Sequence, residues 1–335
     1  MKWENYNNTE HAIDFATLNN GTGYLYANAI DFTLYFTGEL KPYSEANHAN
    51  EVSVDAGWNL IGNPFVCNVY ADRSFYKMNA EGTAIEAVEN YGANPIAPCT
   101  GIVINAAEAG AVTFTRNAPS MSNNKGNIQI ALAQTTNTRG AATAIDNAIV
   151  SFNDGTALPK FRFGDHAEIY IPQGNEDYAI AYSDKQGEMP ICFKATKNDE
   201  YTLSINPEGV EMAYLHLIDN MTGADIDLQA LRQAQGPASY TFQAKTTDYE
   251  SRFKLVFRAE EDNQNNHDNF AFISNGELII NGTGTLQVID LLGHMLITDE
   301  VNSAFRIPYS AFSTGVYVLR LIDGENVRTQ KIVID

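Results

Sequence analysis

Apolar and polar residues alternate with a period of two along most of this chain, in short runs separated by turn-forming residues. In YTLSIN (201–206), Tyr201, Leu203 and Ile205 fall on one side of a strand, Thr202 and Ser204 on the other. RFKLVFR (252–258) sets Phe253, Leu255 and Phe257 against Lys254 and Arg258. The same pattern predicts strands in DFTLYFTG, GIVINA, AVTFTR, NIQIALAQ, AEIYIPQ, DYAIAYS, AYLHLID and SYTFQAK. Turn signals separate them about every 8–12 residues, the spacing expected of a β-sandwich. Helical periodicity is scarce, and short helices are predicted only in LQALRQA and IPYSAF. The expected fold class is all-β, with tandem antiparallel β-sandwich domains.

Two polar stretches interrupt the pattern. NAPSMSNNKGN (117–127) collects Pro, Ser, Asn and Gly, and AEEDNQNNHDN (259–269) has no aliphatic side chain larger than alanine. Read as connectors, they divide the chain into a β-sandwich domain at 1–118, a second at 119–260, and a linker plus small C-terminal domain at 261–335. A unit as short as the last should pack on its neighbour or be only modestly stable. The closing hairpin, GVYVLRLIDGENVRTQKIVID, reads as strands fixed into a sheet, whereas chain ends not tied down usually fray.

Composition narrows the function classes. Tyr and Phe number 17 each, which favours strands over helices. The formal charge of −20, from 21 basic and 41 acidic residues, argues against a nucleic-acid partner, because phosphate neutralisation needs a basic surface. No run approaches the roughly 18 apolar residues of a membrane span, so no transmembrane segment is expected. The opening MKWENYNNTEHAIDF lacks the order of a signal peptide, consistent with a cytoplasmic protein or a piece of a longer exported chain.

Candidate chemistry is sparse. The sequence holds no GxSxG, HExxH, P-loop or EF-hand pattern, so no catalytic residue, metal site or cofactor is assigned, and the chain is expected not to be an enzyme. Asp165, His166 and Glu168 lie close together in FGDHAEIY, but a solvated turn is the simpler reading. Asp219, Asp225 and Asp227 surround one turn, where Asx-type hydrogen bonds explain them better than calcium. Cys67 and Cys99 form a possible disulfide, although buried free thiols are the favoured reading, and Cys192 in PICFKA is a core residue. Weak candidates for ligand-binding aromatics are Trp58 in AGWNLIGNPF and Tyr24 and Tyr26 in GTGYLYANAI; for Trp58 a core position is favoured over a sugar platform.

The most specific residues lie at the end. GTLQVIDLLGHMLITDEV and FRIPYSAFSTGVYVLRLIDGENVRTQKIVID resemble the C-terminal sorting domain of Bacteroidetes proteins exported by the type IX (Por) secretion system. The family pattern falls on Asp290 and Gly293, then Gly315 and Tyr317, then Lys331 before Ile332, Val333 and Ile334. FAFISNGELIING stands where the family usually opens with Pro-Asn-Pro. The resemblance implies a small immunoglobulin-like sandwich as the last domain, with the secretion machinery as its partner. AGWNLIGNPFVCNVY, PCTGIVINA and the stretch from LIDNMTGADIDL to YESRFKLVF are similar to C-terminal regions of large Bacteroidetes surface proteins.

Together these readings predict a secreted or cell-surface protein on the extracellular face of the outer membrane, or the C-terminal portion of one. Its sandwiches would act as structural or adhesion modules, with a surface glycan or protein as possible ligand. The alternative is a carbohydrate-binding or accessory module of a secreted glycan-degrading system.

Overall fold

Strands dominate wherever the sequence alternates. The computed structural model describes residues 18–25, 37–90, 94–118, 124–135, 142–235, 238–260, 270–274, 276–324 and 326–334. The predicted DFTLYFTG strand lies largely outside the described residues, as does Tyr26. The chain falls into two compact units. The first takes the described residues within Met1–Tyr182, Ile191–Gly209 and Pro237–Arg252; the second takes those within Ser183–Pro190, Val210–Gly236 and Phe253–Asp335.

Among the described residues of the first unit the first strands are β1 (Glu51–Val54), β2 (Gly57–Gly62), β3 (Tyr70–Ala71), β4 (Phe75–Met78), β5 (Ile85–Val88), β6 (Gly101–Ala106) and β7 (Gly110–Thr115). They form a three-stranded sheet, β1-β7-β3, and a four-stranded sheet, β2-β6-β4-β5. Ile61, Phe75, Ile102, Ile104, Val112 and Phe114 fill one core drawn from both sheets. The four-stranded sheet is buried on its other face too. Tyr76, Ala87 and Val103, with Trp58 and Leu60 against them, pack on Ile149, Leu158, Ala179 and Ile180 of the strands that follow. A strand covered on both sides needs no polar face, and GIVINA, in β6, has almost none.

Those following strands are β8 (Asn127–Thr135), β9 (Ala142–Ser151), β10 (Leu158–Pro159), β11 (Glu168–Gln173) and β12 (Glu176–Tyr182). Next come β13 (Gln186–Lys194), β14 (Asp199–Glu208), β15 (Met212–Asp219), β16 (Ala224–Asp227), α1 (Leu228–Gln235), β17 (Ala238–Ala244) and β18 (Phe253–Ala259). Within the first unit the order is β11-β12-β9-β8-β14-β17, with β10 on β12, and every pairing is antiparallel except β9 with β12. Tyr201, Leu203 and Ile205 are buried and Thr202 and Ser204 half-buried, as the alternation of β14 requires. The second half of β13 belongs to this unit, Cys192 opposite Tyr170 and Phe193 opposite Ile169.

The second unit holds β16-β15-β18 in that order. It ends with β19 (Ala271–Ser274), β20 (Glu277–Asp290), β21 (Met295–Pro308), β22 (Gly315–Asp323) and β23 (Asn326–Ile334), and with a 3-10 turn at Tyr309–Ala311. The order is β19-β20-β22-β23, with β21 paired along β20. Leu278, Ile280, Leu286, Val288, Val301, Leu319, Leu321 and Ile332 form their core. β20 pairs with β19 over its first residues and with β22 over its last, and Gly282 and Gly284 sit where it changes partner. At Gly284, φ is +123° and a Cβ would lie 2.3 Å from the Ile322 carbonyl oxygen, so only glycine lets the strands approach there. The all-β expectation holds, and the two short helices appear where predicted, at α1 and at Tyr309–Ala311.

Candidate functional site

The sequence motif of the last unit is scattered along the chain, but strand register gathers it. Asp290 closes β20 opposite Tyr317 of β22, and Tyr317 in turn sits opposite Ile332 of β23. Lys331 faces Val318, and Gly315 faces Ile334. The Asp, Gly-x-Tyr and Lys positions therefore line one end of three adjacent strands.

Each builds that end differently. Asp290 organises the β20–β21 turn: its Oδ1 accepts the backbone N–H of Leu292 at 2.9 Å and of His294 at 2.8 Å. Its backbone carbonyl accepts the Gly293 N–H at 3.0 Å, and Gly293 has a φ of +88° that a side chain would disfavour. The His294 backbone N–H, then the His294 imidazole and the Leu292 N–H, hold the Asp290 carboxyl below the usual carboxylate range. The Tyr317 ring is buried against Phe312, with centroids 5.3 Å apart, and its hydroxyl donates to the Ser313 carbonyl at 2.7 Å. That bond ties the approach to β22 onto the strand. Lys331 projects from the outward face of β23, the edge strand of its sheet.

Four apolar side chains at the same turn escape the periodic reading. Leu291 and Leu292 are 69% and 82% exposed, and Met295 and Leu296 are 54% and 49% exposed. Such side chains rarely stand together on a soluble surface without a partner. The signal was present in DLLGHML, where apolar residues run on through a turn.

The remaining candidates are dispersed. Trp58 is half-buried, its ring 4.8 Å from Phe161 and 6.0 Å from Tyr76. Tyr24 is half-buried, and its hydroxyl accepts the Asn19 N–H at 2.9 Å. A polar groove of about 470 Å³ in the first unit is lined by Asn20, Lys41, Glu51, Ser53 and Asn59 among others. All three cysteines are free, so the Cys67–Cys99 disulfide considered from sequence is not formed here; Cys67 packs at the edge of the first core, while Cys99 is exposed in a left-handed turn, φ +60°. His166 contacts the Ala167 carbonyl at 3.0 Å, while Glu168 is taken up by Arg162, whose guanidinium also pairs with Asp177. Asp219 caps its own turn, accepting the Met221 N–H at 3.0 Å. Asp225 lies 2.6 Å from Nδ1 of buried His216, and Asp227 lies 3.9 Å from its Nε2. Among the described residues no group of three or more His, Cys, Asp or Glu side chains is arranged to hold a metal ion. Among the described residues no helix is long and apolar enough to cross a membrane.

Residues 266–335 match the family described as the secretion system C-terminal sorting domain. The match covers the five motif positions and agrees with the type IX resemblance of the same stretch. It marks an exported protein, secreted or attached at the cell surface, that engages the secretion machinery. No curated protein and no solved structure matches the chain.

Proposed function

We propose that this chain is a non-enzymatic structural or adhesion protein of the extracellular face of the outer membrane, or the C-terminal portion of one. On this reading its first unit is a rigid spacer and its C-terminal domain is the address that delivers it. The observation that carries the reading is how the first unit uses its buried polar groups, which are turned inward onto one another. Glu89, 2% exposed, accepts hydrogen bonds from Asn127 at 3.0 Å, from Asn153 at 3.2 Å and from the Ser151 hydroxyl. Lys160 and Asp146 pair at 2.6 Å with side chains 1% and 3% exposed, and Asp146 also accepts the Ile169 N–H. Buried networks satisfied in this way stiffen a fold and favour a single arrangement of its layers.

The carbohydrate-binding alternative draws support from the polar groove beside Lys41, Glu51 and Asn59. Trp58 offers it little, because its ring is already engaged by Phe161 and Tyr76.

The test compares a type IX-competent Bacteroidetes strain with a secretion-deficient one. The protein should be accessible to external protease only in the competent strain, and its deletion should reduce cell attachment to surfaces. Purified protein that cleaves members of a glycan panel would overturn the reading. Saturable glycan binding without cleavage would favour the alternative.

A further inference from the structure

Within the second unit one face of the C-terminal domain is covered. β15 and β18 should each alternate, yet Tyr214, Leu215, His216 and Leu217 are buried in succession, as are Leu255, Val256 and Phe257. Burial on both faces means that a second layer lies over β15 and β18. That layer is β19 and β20: Tyr214 and Val256, both fully buried, form one cluster with Phe272 and Ile279.

Directed contacts surround the cluster. The Tyr214 and Phe272 rings meet edge to face, centroids 5.3 Å apart. The Arg258 guanidinium sits 4.8 Å above the Phe272 ring and donates to the Ala271 carbonyl at 3.2 Å. The Asn281 amide donates to the Ala213 carbonyl. Arg306 of β21 reaches Glu188 at 3.7 Å as well as Glu277 at 3.2 Å. Burial pushes the Tyr214 hydroxyl up to about 12 against the opposing charge of Arg306.

We propose that the C-terminal sorting domain of this chain is built in two parts, β19–β23 and a docking platform of β15, β16 and β18 contributed by the preceding sequence. The platform is an interaction surface whose occupant is the chain's own last domain. The domain therefore remains bound to the body when the connection between them is cut. It also follows that residues 266–335 alone keep their own core but lack the surface that covers Phe272 and Ile279, so the smallest module with both faces covered extends upstream to the start of β15. This rests on the packing of the second unit and does not depend on the export reading.

A site for a sequence-specific protease placed within the polar stretch 261–269 of the full chain tests the proposal. After complete cleavage, native size-exclusion chromatography at micromolar concentration should return both fragments in one peak, and 6 M urea should separate them. In the same cleaved chain, Phe272→Ala should release the C-terminal fragment. Separation or loss of that fragment from the unmutated cleaved chain in native buffer would overturn the proposal. A cleaved chain that stays together but is not exported from cells would contradict the export reading and leave this one standing.

Discussion

The molecule closes two layered seams by different chemistry. In the first unit the four-stranded sheet meets β8, β9, β10 and β12 through apolar side chains, neutral hydrogen bonds to backbone and the buried Glu89 carboxyl, which is enclosed by Asn127, Ser151 and Asn153. The Asn147 amide clasps the Ala87 backbone, accepting its N–H at 2.7 Å and donating to its carbonyl at 2.9 Å. The Tyr76 hydroxyl donates to the Pro159 carbonyl and accepts the Phe161 N–H, both at 2.9 Å. In the second unit, β19 and β20 meet β15 and β18 through aromatic rings and a rim of charge: Arg258, Arg306, Glu188 and Lys254. Neutral bonds to backbone fix position and respond little to pH or salt, whereas charge pairs near a surface respond to both. The first seam suits a permanent layer, and the second is the one that solution conditions can loosen.

The largest expected effect comes from removing the ring at the centre of the second seam. Phe272→Ala should cost about 3–5 kcal/mol in the urea unfolding of the full chain, because a well-packed site collapses only partly around the missing ring. An unchanged midpoint would mean that the cluster of Tyr214, Val256 and Ile279 adds nothing to stability. Glu89→Ala should come next, at roughly 3 kcal/mol, since it leaves the donors of Asn127, Asn153 and Ser151 without their acceptor. Glu89→Gln should recover part of that loss, because its amide oxygen still accepts.

These two positions also show how far the sequence could be read. Alternation located β14 and predicted which of its residues are buried, because one face of a strand obeys one rule. At β18 it correctly put Phe253, Leu255 and Phe257 inside, but there and at β15 it did not show the second buried face, where another layer removes the need for polar residues; consecutive apolar residues were the visible sign. Asp290, Gly315, Tyr317 and Lys331 were legible as a motif, but their convergence depends on the register of β20, β22 and β23. Glu89 carried no signal, since its partners lie 38 to 64 positions away in no periodic relation. Lys160 and Asp146, 14 positions apart, were equally hidden among the many charged residues of the chain.

A smaller effect sharpens the comparison between the seams. Tyr76→Phe preserves the ring but leaves the Pro159 carbonyl and Phe161 N–H without their shared partner, costing about 1–2 kcal/mol. That cost should be the same at low and high salt. The stability lost on Arg306→Gln in the second seam should shrink as salt rises, because its Glu188 and Glu277 partners act through charge. Equal salt dependence in the two variants would erase the distinction.

The smallest effect is the pH dependence that Asp225 gives the second unit. Burial pushes the Asp225 carboxyl up, but its hydrogen bond to His216, the charge of that imidazole and the charges of Arg306 and Lys254 outweigh burial, so the group titrates below the ordinary range. A carboxyl whose folded value is depressed contributes stability above its unfolded value, about 3.9, and loses that contribution as pH falls through the folded value. Wild-type stability should therefore fall more steeply below about pH 4 than that of Asp225→Asn, which has no carboxyl to protonate. Near pH 5 the variant should be the less stable of the two, since Asp225 is then ionised in both states. Asp199 and Asp290 are depressed as well and steepen the acid limb of both proteins equally, so the difference between the two curves isolates Asp225. Parallel curves from neutral pH down to pH 2.5 would show that the His216–Asp225 contact, short as it is, contributes nothing through charge.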